Sequence, residues 1–335
     1  MRRCRARKGI SDHRVGGRTV TRTWLERPEG GHAWAMRLFA AVALGLGRSL
    51  SRLVLLPITA YFLLRRRPER RASRIYLERV LGRPPTWLEI ARHFHTFAGV
   101  TLDRVYFLTE NLRRFDTRLI GLDELHRAMD LGRGVLLIGA HVGSFDALRA
   151  ASTHRPDVTV RVVLDAEHSP ALSAILRQLN PQIAAGIINP RKAGTMVALE
   201  IGAALNDGAL VTMLADRSRP GNATVSVDFL GQLAEFPTAP WQIAAALHVP
   251  VVLCVGLYRG RKRYDLHFEL LAERLHIDRS QRQHQLREVV QRFADRLAAL
   301  ARLAPYNWFN FYDFWNELAP GDRHADADDR NAARR

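Results

Sequence analysis

Short apolar runs alternate with helical patterns through the middle of the chain, and no other feature limits the possible folds as strongly. The runs occupy residues 135–140, 158–164, 183–188, 209–214 and 251–257, and the helical patterns occupy residues 144–153, 169–179, 193–206, 238–248 and 279–303. Such alternation is typical of buried parallel strands joined by helices. Alternating polarity over residues 224–230 and 264–270 indicates antiparallel additions. The sequence therefore predicts a mixed α/β fold with a mostly parallel central sheet flanked by helices.

A histidine and a carboxylate follow the first of these runs, in His141-Val-Gly-Ser-Phe-Asp146. Ligands of α/β proteins bind at the carboxyl ends of parallel strands, and imidazole is a base suited to neutral pH. With His141 in the turn and Asp146 in the first helical turn, the carboxylate can hold the imidazole in one tautomer. The pair is therefore a candidate general base with its supporting acid. A histidine that only bonds locally at the strand end is the alternative.

The residue types between His141 and Asp146 also bear on the kind of chemistry. Ser144 does not stand in a G-x-S-x-G nucleophile elbow, and its position is better explained as a helix N-cap. The absence of an evident nucleophile favours direct transfer from donor to acceptor over a covalent enzyme intermediate.

The amino-terminal end is strongly basic and carries the apolar sequence. Residues 1–76 contain 18 arginines and lysines against four acids, in a chain whose net charge is +17. Two apolar blocks, residues 38–47 and 53–64, are separated by Arg48 and Arg52, and neither reaches the roughly 18 residues of a spanning helix. This arrangement favours helices that lie in, or dip into, an anionic membrane surface. A tilted span and a hairpin that merely covers the core are the alternatives.

These patterns divide the chain into four parts. We expect a disordered basic extension over residues 1–23, a membrane-associated helical segment over 24–68, a catalytic α/β domain over 69–318 and a disordered tail over 319–335. Cys4 and Cys254 lie far apart, which indicates neither a disulfide framework nor a metal site. No Walker A loop, G-x-G-x-x-G or H-E-x-x-H motif occurs, and no nucleic-acid-binding signature appears, so no nucleic acid partner is expected.

Several motifs, taken in order, resemble those of the lipid A late acyltransferase family within the lysophospholipid acyltransferase superfamily. The resemblance covers residues 24–317 and depends on the order and spacing of the motifs. They are His141 to Asp146 after a strand, Asn189-Pro-Arg191, Ala215-Asp-Arg217, Val227-Asp-Phe-Leu-Gly231, Phe236-Pro-Thr-Ala-Pro240, His248-Val-Pro250 and Pro305-Tyr-Asn-Trp-Phe-Asn310.

The resemblance implies both a fold and an activity. The expected fold is lysophospholipid acyltransferase-like, with an amino-terminal membrane-associated helical segment. In that family a histidine activates an acceptor hydroxyl, which attacks the thioester of a fatty acyl carrier protein at the cytoplasmic face of the bacterial inner membrane. These roles fall on His141 and Asp146. The implied partners are acyl carrier protein, or acyl-CoA, as donor, a lipid or glycolipid acceptor and an anionic membrane surface, with no further cofactor.

Two differences from the family's motifs bear on the identity of the acceptor. The superfamily's F-P-E-G-T block is replaced by Phe236-Pro-Thr-Ala-Pro240, and Asn310-Phe-Tyr-Asp313 stands where lipid A enzymes tend to carry basic residues. In these features the chain is more similar to the divergent acyltransferases of aryl-polyene and xanthomonadin-type pigment pathways. The implied acceptor is a glycolipid or another membrane-anchored hydroxyl compound.

Four residues are candidate contacts for the substrates: Arg217, Arg191, Gly143 and Ser144. Arg217 follows an apolar run and is expected to project into the same crevice as His141, where a guanidinium can bind phosphate or stabilise developing negative charge. A surface salt bridge is the alternative for either arginine, and Asp216 is expected at most to orient Arg217. The aromatic run 306–315 fits either core packing or the lining of an acyl groove.

Two other functions fit parts of the sequence. An acyl-ester hydrolase would use the same histidine with water as the acceptor. A nonenzymatic basic adaptor would bind membrane or nucleic acid, but it predicts cations dispersed over a folded domain and not a cluster beside apolar blocks.

Overall fold

A computed structural model describes residues 33–109, 114–148, 158–165, 176–177, 179–218 and 221–315, with side chains of the first helix described from residue 41. The expectations for residues 1–23 and 319–335 lie outside these ranges, as do half of the helical pattern predicted at 144–153 and most of that predicted at 169–179. The helices are α1 (Ala33–Arg65), α2 (Arg67–Leu81), α3 (Trp87–Leu108), α4 (Leu122–Met129), α5 (Pro181–Ala185), α6 (Gly194–Asn206), α7 (Ala239–Leu247) and α8 (Arg282–Leu303).

Seven of the nine described strands form one sheet. The strands are β1 (Asp116–Ile120), β2 (Val135–Gly139), β3 (Val160–Val163), β4 (Ile187–Ile188), β5 (Leu210–Leu214), β6 (Thr224–Phe229), β7 (Gln232–Pro237), β8 (Val251–Tyr258) and β9 (Arg263–Ala272). The sheet order is β1-β9-β8-β2-β5-β3-β4, and β6 pairs with β7 separately. Strands β8, β2, β5, β3 and β4 run parallel, whereas β9 is antiparallel to β8. The predicted mixed, mostly parallel sheet is confirmed.

The centre of the sheet is covered on both faces. All five residues of β2 are buried, and successive residues point to opposite faces, as the twofold period of a strand requires. Leu136 and Ile138 enter one apolar cluster together with Trp308, whereas Val135 and Leu137 enter another together with Phe107. The strand that precedes His141 is therefore held rigidly from above and below.

Four elements differ from the sequence-based expectation, among them helix α4, which was not predicted. Residues 183–188 were expected to be one strand, but α5 occupies residues 181–185 and only Ile187 and Ile188 pair with β3. Strand β1 was not predicted, because its sequence Asp-Thr-Arg-Leu-Ile has no apolar run and lies at the half-exposed edge of the sheet. Strand β7 was also missed, although it completes the hairpin with the predicted β6.

The two apolar blocks of the amino-terminal segment lie in one helix. Helix α1 includes both, with a kink at Gly47, whose φ of 76° and ψ of 165° are not helical. Residues Ala41–Arg65 form the one helix, among the described residues, that is long and apolar enough to cross a membrane by length and composition.

Candidate active site

The ends of two neighbouring strands bring His141 and Asp216 together. Strands β2 and β5 are paired in parallel up to Gly139 and Leu214, and the N–H of Ala215 donates to the carbonyl of Gly139 at 3.0 Å. Continuing this register by two residues places His141 opposite Asp216. Because both residues lie just beyond the carboxyl ends of parallel strands, they occupy the edge of the sheet where α/β proteins bind ligands.

The imidazole of His141 is held by the carboxylate of Asp216. Nδ1 of His141 lies 2.7 Å from Oδ1 of Asp216, and the backbone N–H of His141 donates to Oδ2 at 3.0 Å. A buried carboxylate only accepts hydrogen bonds when ionised, so Nδ1 carries the proton and the lone pair is on Nε2. The His141 side chain is 30% exposed, whereas Asp216 is fully buried. His141 thus presents a basic nitrogen beside a fixed, buried acid.

The predicted contact between Asp146 and the imidazole is wrong in this structure. Asp146 lies in a short 3-10 helix, Asp146–Leu148, and its Oδ2 accepts a hydrogen bond from Nε of Arg104 at 2.6 Å. The reason is the tertiary arrangement, because α3 brings the Arg104 guanidinium beside Asp146 while β5 brings Asp216 to the imidazole. The expectation that Asp216 only orients Arg217 is corrected by the same observation.

Two side chains from the aromatic segment complete the surroundings of Asp216. Nε1 of Trp308 donates to Oδ2 at 3.1 Å, and Nδ2 of Asn310 donates to the same oxygen at 3.3 Å. Trp308 is fully buried and Asn310 is nearly so. These described residues therefore give the carboxylate four hydrogen bonds, three of them at Oδ2. Such a set of donors stabilises the ionised form of an acid that water cannot reach.

The charges of the site favour an ionised Asp216 and a neutral His141. Burial raises the pKa of the Asp216 carboxyl, but the hydrogen bonds from the side chain and backbone of His141 and the charge of Arg217 outweigh it, so this pKa lies below its usual range. Burial, followed by the charge of Arg217, lowers the pKa of His141 below 6.5, against the opposing effect of Asp216. His141 is therefore unprotonated, and able to accept a proton, near neutral pH.

Backbone hydrogen bonds connect the loop after His141 to the aromatic run 306–315. The N–H of Gly143 donates to the carbonyl of Asn307 at 2.8 Å, and the N–H of Phe309 donates to the carbonyl of His141 at 2.8 Å. Gly143 has a φ of 60°, and a Cβ there would collide with the carbonyl oxygen of Gly256. This position requires glycine because the loop lies directly against strand β8 in a left-handed conformation.

Ser144 has a structural place in the same loop. Its hydroxyl accepts a hydrogen bond from the N–H of Ala147 at 3.2 Å, as predicted for a capping residue, and its side chain is buried. The contacts of Gly143 and Ser144 thus maintain the loop. The expected contact of these two residues with a substrate stays a prediction.

Arg217 is connected to the buried acid through Asn310, which contacts both residues. Its Nε donates to Oδ1 of Asn310 at 2.6 Å, and its terminal nitrogen donates to the carbonyl of Phe309 at 2.9 Å. The guanidinium also lies over the ring of Tyr312, 5.5 Å from its centroid. Its positive charge lowers the pKa of His141, so the two groups interact electrostatically.

Arg191 lies at the same edge of the sheet but farther from the base. It follows β4, which is separated from β2 by β5 and β3, a span of about 14 Å at the usual strand spacing. Its Nε forms an ion pair with Asp165 at 2.8 Å, and its side chain is 43% exposed. The structure therefore does not bring Arg191 to His141, and the surface salt bridge is the alternative that it favours.

Among the described residues, no group of histidine, cysteine or acidic side chains could hold a metal ion. What the site offers chemically is a neutral imidazole, oriented by a buried carboxylate and flanked by a guanidinium. The sequence matches the family model described as bacterial lipid A biosynthesis acyltransferase over residues 21–317. The chain belongs to this family. A search of curated proteins finds no significant match.

Membership of the lipid A acyltransferase family establishes the chain as an acyltransferase of that type, in agreement with its fold. The family is usually membrane-associated, and α1 supplies one apolar amino-terminal helix. The family match also includes the aromatic segment, in which Trp308 and Asn310 contact the buried acid. Sequence reasoning missed both residues as parts of the site, and the only signal that pointed to them was the Pro305 to Asn310 motif of the resemblance.

Proposed function

We propose that the protein transfers a fatty acyl group from acyl carrier protein, or from acyl-CoA, to a hydroxyl of a glycolipid or another membrane-anchored acceptor. The observation that supports this proposal most strongly is the contact between His141 and the buried Asp216 at the ends of two parallel strands. It provides an oriented general base. The free thiol of Cys254 is buried, and burial raises its pKa to about 12.

The proposed reaction takes place in one active-site complex without an acyl-enzyme. Nε2 of His141 removes the proton from the acceptor hydroxyl as its oxygen attacks the carbonyl carbon of the donor thioester. The carbon–sulfur bond then breaks, and the imidazolium returns the proton to the departing thiolate. The products are an ester and a free thiol. Asp216 stabilises the imidazolium while the charge lasts, in the manner of the acid in a hydrolase triad.

Arg217 is the residue best placed to help with the negative charge of the reaction. Developing charge on the thioester oxygen requires a fixed donor in a site with little water. The guanidinium is held by Asn310 and Phe309 and already acts on His141 through its charge. We assign Arg217 to this oxygen or to a phosphate of the substrate. Asp146 is assigned the indirect role of holding Arg104 beside the loop.

The acceptor and the cellular site belong to the same proposal. We place the enzyme at the cytoplasmic face of the bacterial inner membrane, because acyl carrier protein and acyl-CoA are cytosolic donors. The acceptor is proposed to differ from lipid A and to match the aryl-polyene and xanthomonadin-type branch, because Asn310-Phe-Tyr-Asp313 replaces basic residues. Asn310 contacts both Asp216 and Arg217, so this replacement lies inside the site.

The test is transfer of a radiolabelled acyl group from acyl carrier protein into a lipid extract of the host. The wild type is compared with His141→Ala and with His284→Ala, a matched control at an exposed histidine of α8. We expect a labelled lipid with the wild type and the control but not with His141→Ala, and the lipid then identifies the acceptor. Label recovered as free fatty acid would indicate a hydrolase. No reaction with either donor class would contradict the proposal and favour a binding protein.

A further inference from the structure

The side of α3 that faces the loop after His141 carries a cation, Arg104, whose donors are mostly unused. Its Nε donates to Oδ2 of Asp146 at 2.6 Å, and the two side chains are 35% and 13% exposed. Within the part of the chain that the structure describes, neither terminal nitrogen of Arg104 has a hydrogen-bond partner. Because a guanidinium presents its N–H groups in a planar fork, the terminal nitrogens remain available to a ligand.

The neighbour of Arg104 holds this part of α3 in place. Asp103 is fully buried and accepts hydrogen bonds from Nε of Arg48 at 2.7 Å and from the hydroxyl of Tyr264 at 2.8 Å. Helix α3 is thus fixed to α1 and to β9 one residue before Arg104, while Asp146 fixes the guanidinium itself. Donors that are already ordered bind a ligand at a lower entropic cost than a mobile side chain does.

Arg104 lies close enough to the base to act on it. Asp146, to which it is bound, stands in the short helix that ends the loop of His141. Burial, followed by the charges of Arg217 and Arg104, lowers the pKa of His141. The guanidinium of Arg104 therefore lies at the edge of the same crevice as the imidazole, where one small substrate can contact both.

The same side of α3 continues as an apolar surface. Phe97 precedes Arg104 by two helical turns, which places both residues on one side of the helix and about 10 Å apart. Phe97 is 42% exposed, and its ring meets that of Phe309 edge to face at 5.3 Å. The N–H of Phe309 in turn donates to the carbonyl of His141 at 2.8 Å. This side of α3 thus lies along the loop of the base with a cation at one end and an exposed ring at the other, an arrangement that suits an amphiphile.

The position of Arg104 distinguishes between the two substrates of the proposed reaction. In acyl carrier protein and in acyl-CoA, the thioester is separated from the nearest phosphate by the whole length of the pantetheine arm. A thioester at His141 therefore leaves that phosphate far from Arg104. An anion bound by Arg104 must instead be joined to the acceptor hydroxyl by a few bonds. Phosphate and carboxylate groups both match the fork of a guanidinium, and Asp146 repels either from its own side, so the anion approaches through the terminal nitrogens.

We propose that Arg104 binds the acceptor, and that the acceptor carries a phosphate or carboxylate group close to the hydroxyl that receives the acyl chain. The apolar part of the acceptor lies along Phe97, and Asp146 is a positioning residue for Arg104. Arg217 is then left to the thioester oxygen. This inference names the class of acceptor, and it rests on the proposed function for the role of His141 as the base. Binding of the anion itself can be measured without any acyl transfer.

The first experiment measures binding to the full-length protein by equilibrium dialysis, with no acyl donor present. The probes are decanoylglycerol phosphate, β-hydroxydecanoate and the neutral decanoylglycerol. We expect at least one anionic probe to bind more tightly than the neutral one, and the tighter of the two identifies the anion. Arg104→Gln should weaken this binding at least about tenfold, because a hydrogen-bonded charge is lost.

Two further variants complete the binding experiment. Arg104→Lys keeps the charge but not the planar fork, so it should recover only part of the binding. Arg74→Gln, at an exposed arginine of α2, is the matched control and should bind like the wild type. The inference is overturned if neither anionic probe binds more tightly than decanoylglycerol, or if Arg104→Gln binds like the wild type.

The second experiment identifies which substrate carries the anion, by acyl transfer into the host lipid extract. Arg104→Gln should raise the apparent KM for the extract and leave the KM for acyl carrier protein unchanged. A raised KM for the donor alone would place the anion on the donor and overturn the inference. Arg104→Gln should also move the rising limb of kcat/KM to higher pH, because removing this cation raises the pKa of His141.

Asp146 is tested in the same assay as a positioning residue. Asp146→Asn should raise the apparent KM for the extract as well, but it should add little to Arg104→Gln in the double variant, because both act through one guanidinium. Fully additive effects would contradict this role of Asp146. His141→Ala should still bind the anionic probe while it transfers no acyl group, so a failure of the catalytic proposal and a failure of this inference give different results.

Discussion

Replacing Asp216 by Asn tests whether this residue, and not Asp146, orients the base. From the described residues, the carboxylate accepts hydrogen bonds at Oδ2 from the His141 backbone, Trp308 and Asn310, and at Oδ1 from Nδ1 of His141. An amide has a single acceptor oxygen, which we expect to occupy the position of Oδ2. Its NH2 group then faces Nδ1 of His141, so Nδ1 must accept a hydrogen bond and cannot carry the proton. The proton moves to Nε2, and the side of the imidazole that faces the substrate loses its basic lone pair.

The magnitude follows from counting the donors left without an acceptor. Restoring the active tautomer with the amide in place would leave two donors facing each other, the Nδ1–H of His141 and the amide NH2, and each unmet buried donor costs about 1–3 kcal/mol. A difference of about 3–4 kcal/mol corresponds to a factor of about 10² to 10³. Loss of the negative charge that stabilises the imidazolium adds to this. We therefore expect kcat to fall about 10³- to 10⁴-fold, similar to the loss for an amidated triad aspartate, with little change in KM.

The assay is the initial rate of acyl transfer over a range of donor concentrations and pH. For the wild type, kcat/KM should rise with pH below 6.5 and be level above it, because the lowered pKa of His141 leaves the base neutral at neutral pH. Asp146→Asn should cost much less than Asp216→Asn, and Asp228→Asn, at an exposed position, should have no effect. Our reasoning is refuted if Asp216→Asn retains a rate within about tenfold of the wild type while Asp146→Asn abolishes transfer.

Three further predictions concern stability. Burial lowers the pKa of His93 to about 4, so the neutral ring favours the folded state, and the free energy of unfolding should fall by up to about 3 kcal/mol as the pH drops from 6.5 to 4. Urea titrations at several pH values should show a weaker pH dependence of this free energy for His93→Gln. The same pH dependence in both proteins would contradict the burial of this ring. Gly143→Ala should destabilise the protein by at least about 2 kcal/mol more than Gly132→Ala, because the new methyl group at residue 143 meets a backbone oxygen. Gly132 is the control because its φ is also positive but no atom lies within 4 Å of an added Cβ. Equal melting temperatures of the two variants would argue against the close approach of the loop to β8. Asp103→Asn should lower the free energy of unfolding in urea by about 3–5 kcal/mol, because it leaves the buried guanidinium of Arg48 without its carboxylate. A loss below about 1 kcal/mol would mean that this ion pair does not hold α1 against α3.

Local pattern alone located most of the fold. The apolar runs at 135–140, 209–214 and 251–257 correspond to β2, β5 and β8, because central parallel strands are buried on both faces and must be apolar throughout. Edge elements carry no such requirement, so β1, with its polar residues, was missed. Strand β4 was overestimated because the apolar residues of α5 precede it without a break.

His141 could be located from the sequence, because a histidine directly after a buried strand must lie at the end of the sheet where ligands bind. Its partner could not, since that choice depends on which strand lies beside β2 and in what register. Spacing favoured Asp146, five residues away, but the parallel pairing of β2 with β5 brings in Asp216, 75 residues away. Hydrogen bonds from Trp308 and Asn310 then make this buried carboxylate stable in its ionised form.

The same distinction holds for the amino-terminal segment. Its composition alone determined that α1 would be an apolar helix interrupted and followed by arginines, which is enough to predict contact with a membrane. Composition does not say which side of a helix faces the protein, because that depends on what packs against it. Only the tertiary structure places Arg48 and Arg52 toward Asp103 and the leucines outward. Local chemistry thus decides which elements form, whereas packing and register decide which side chains meet.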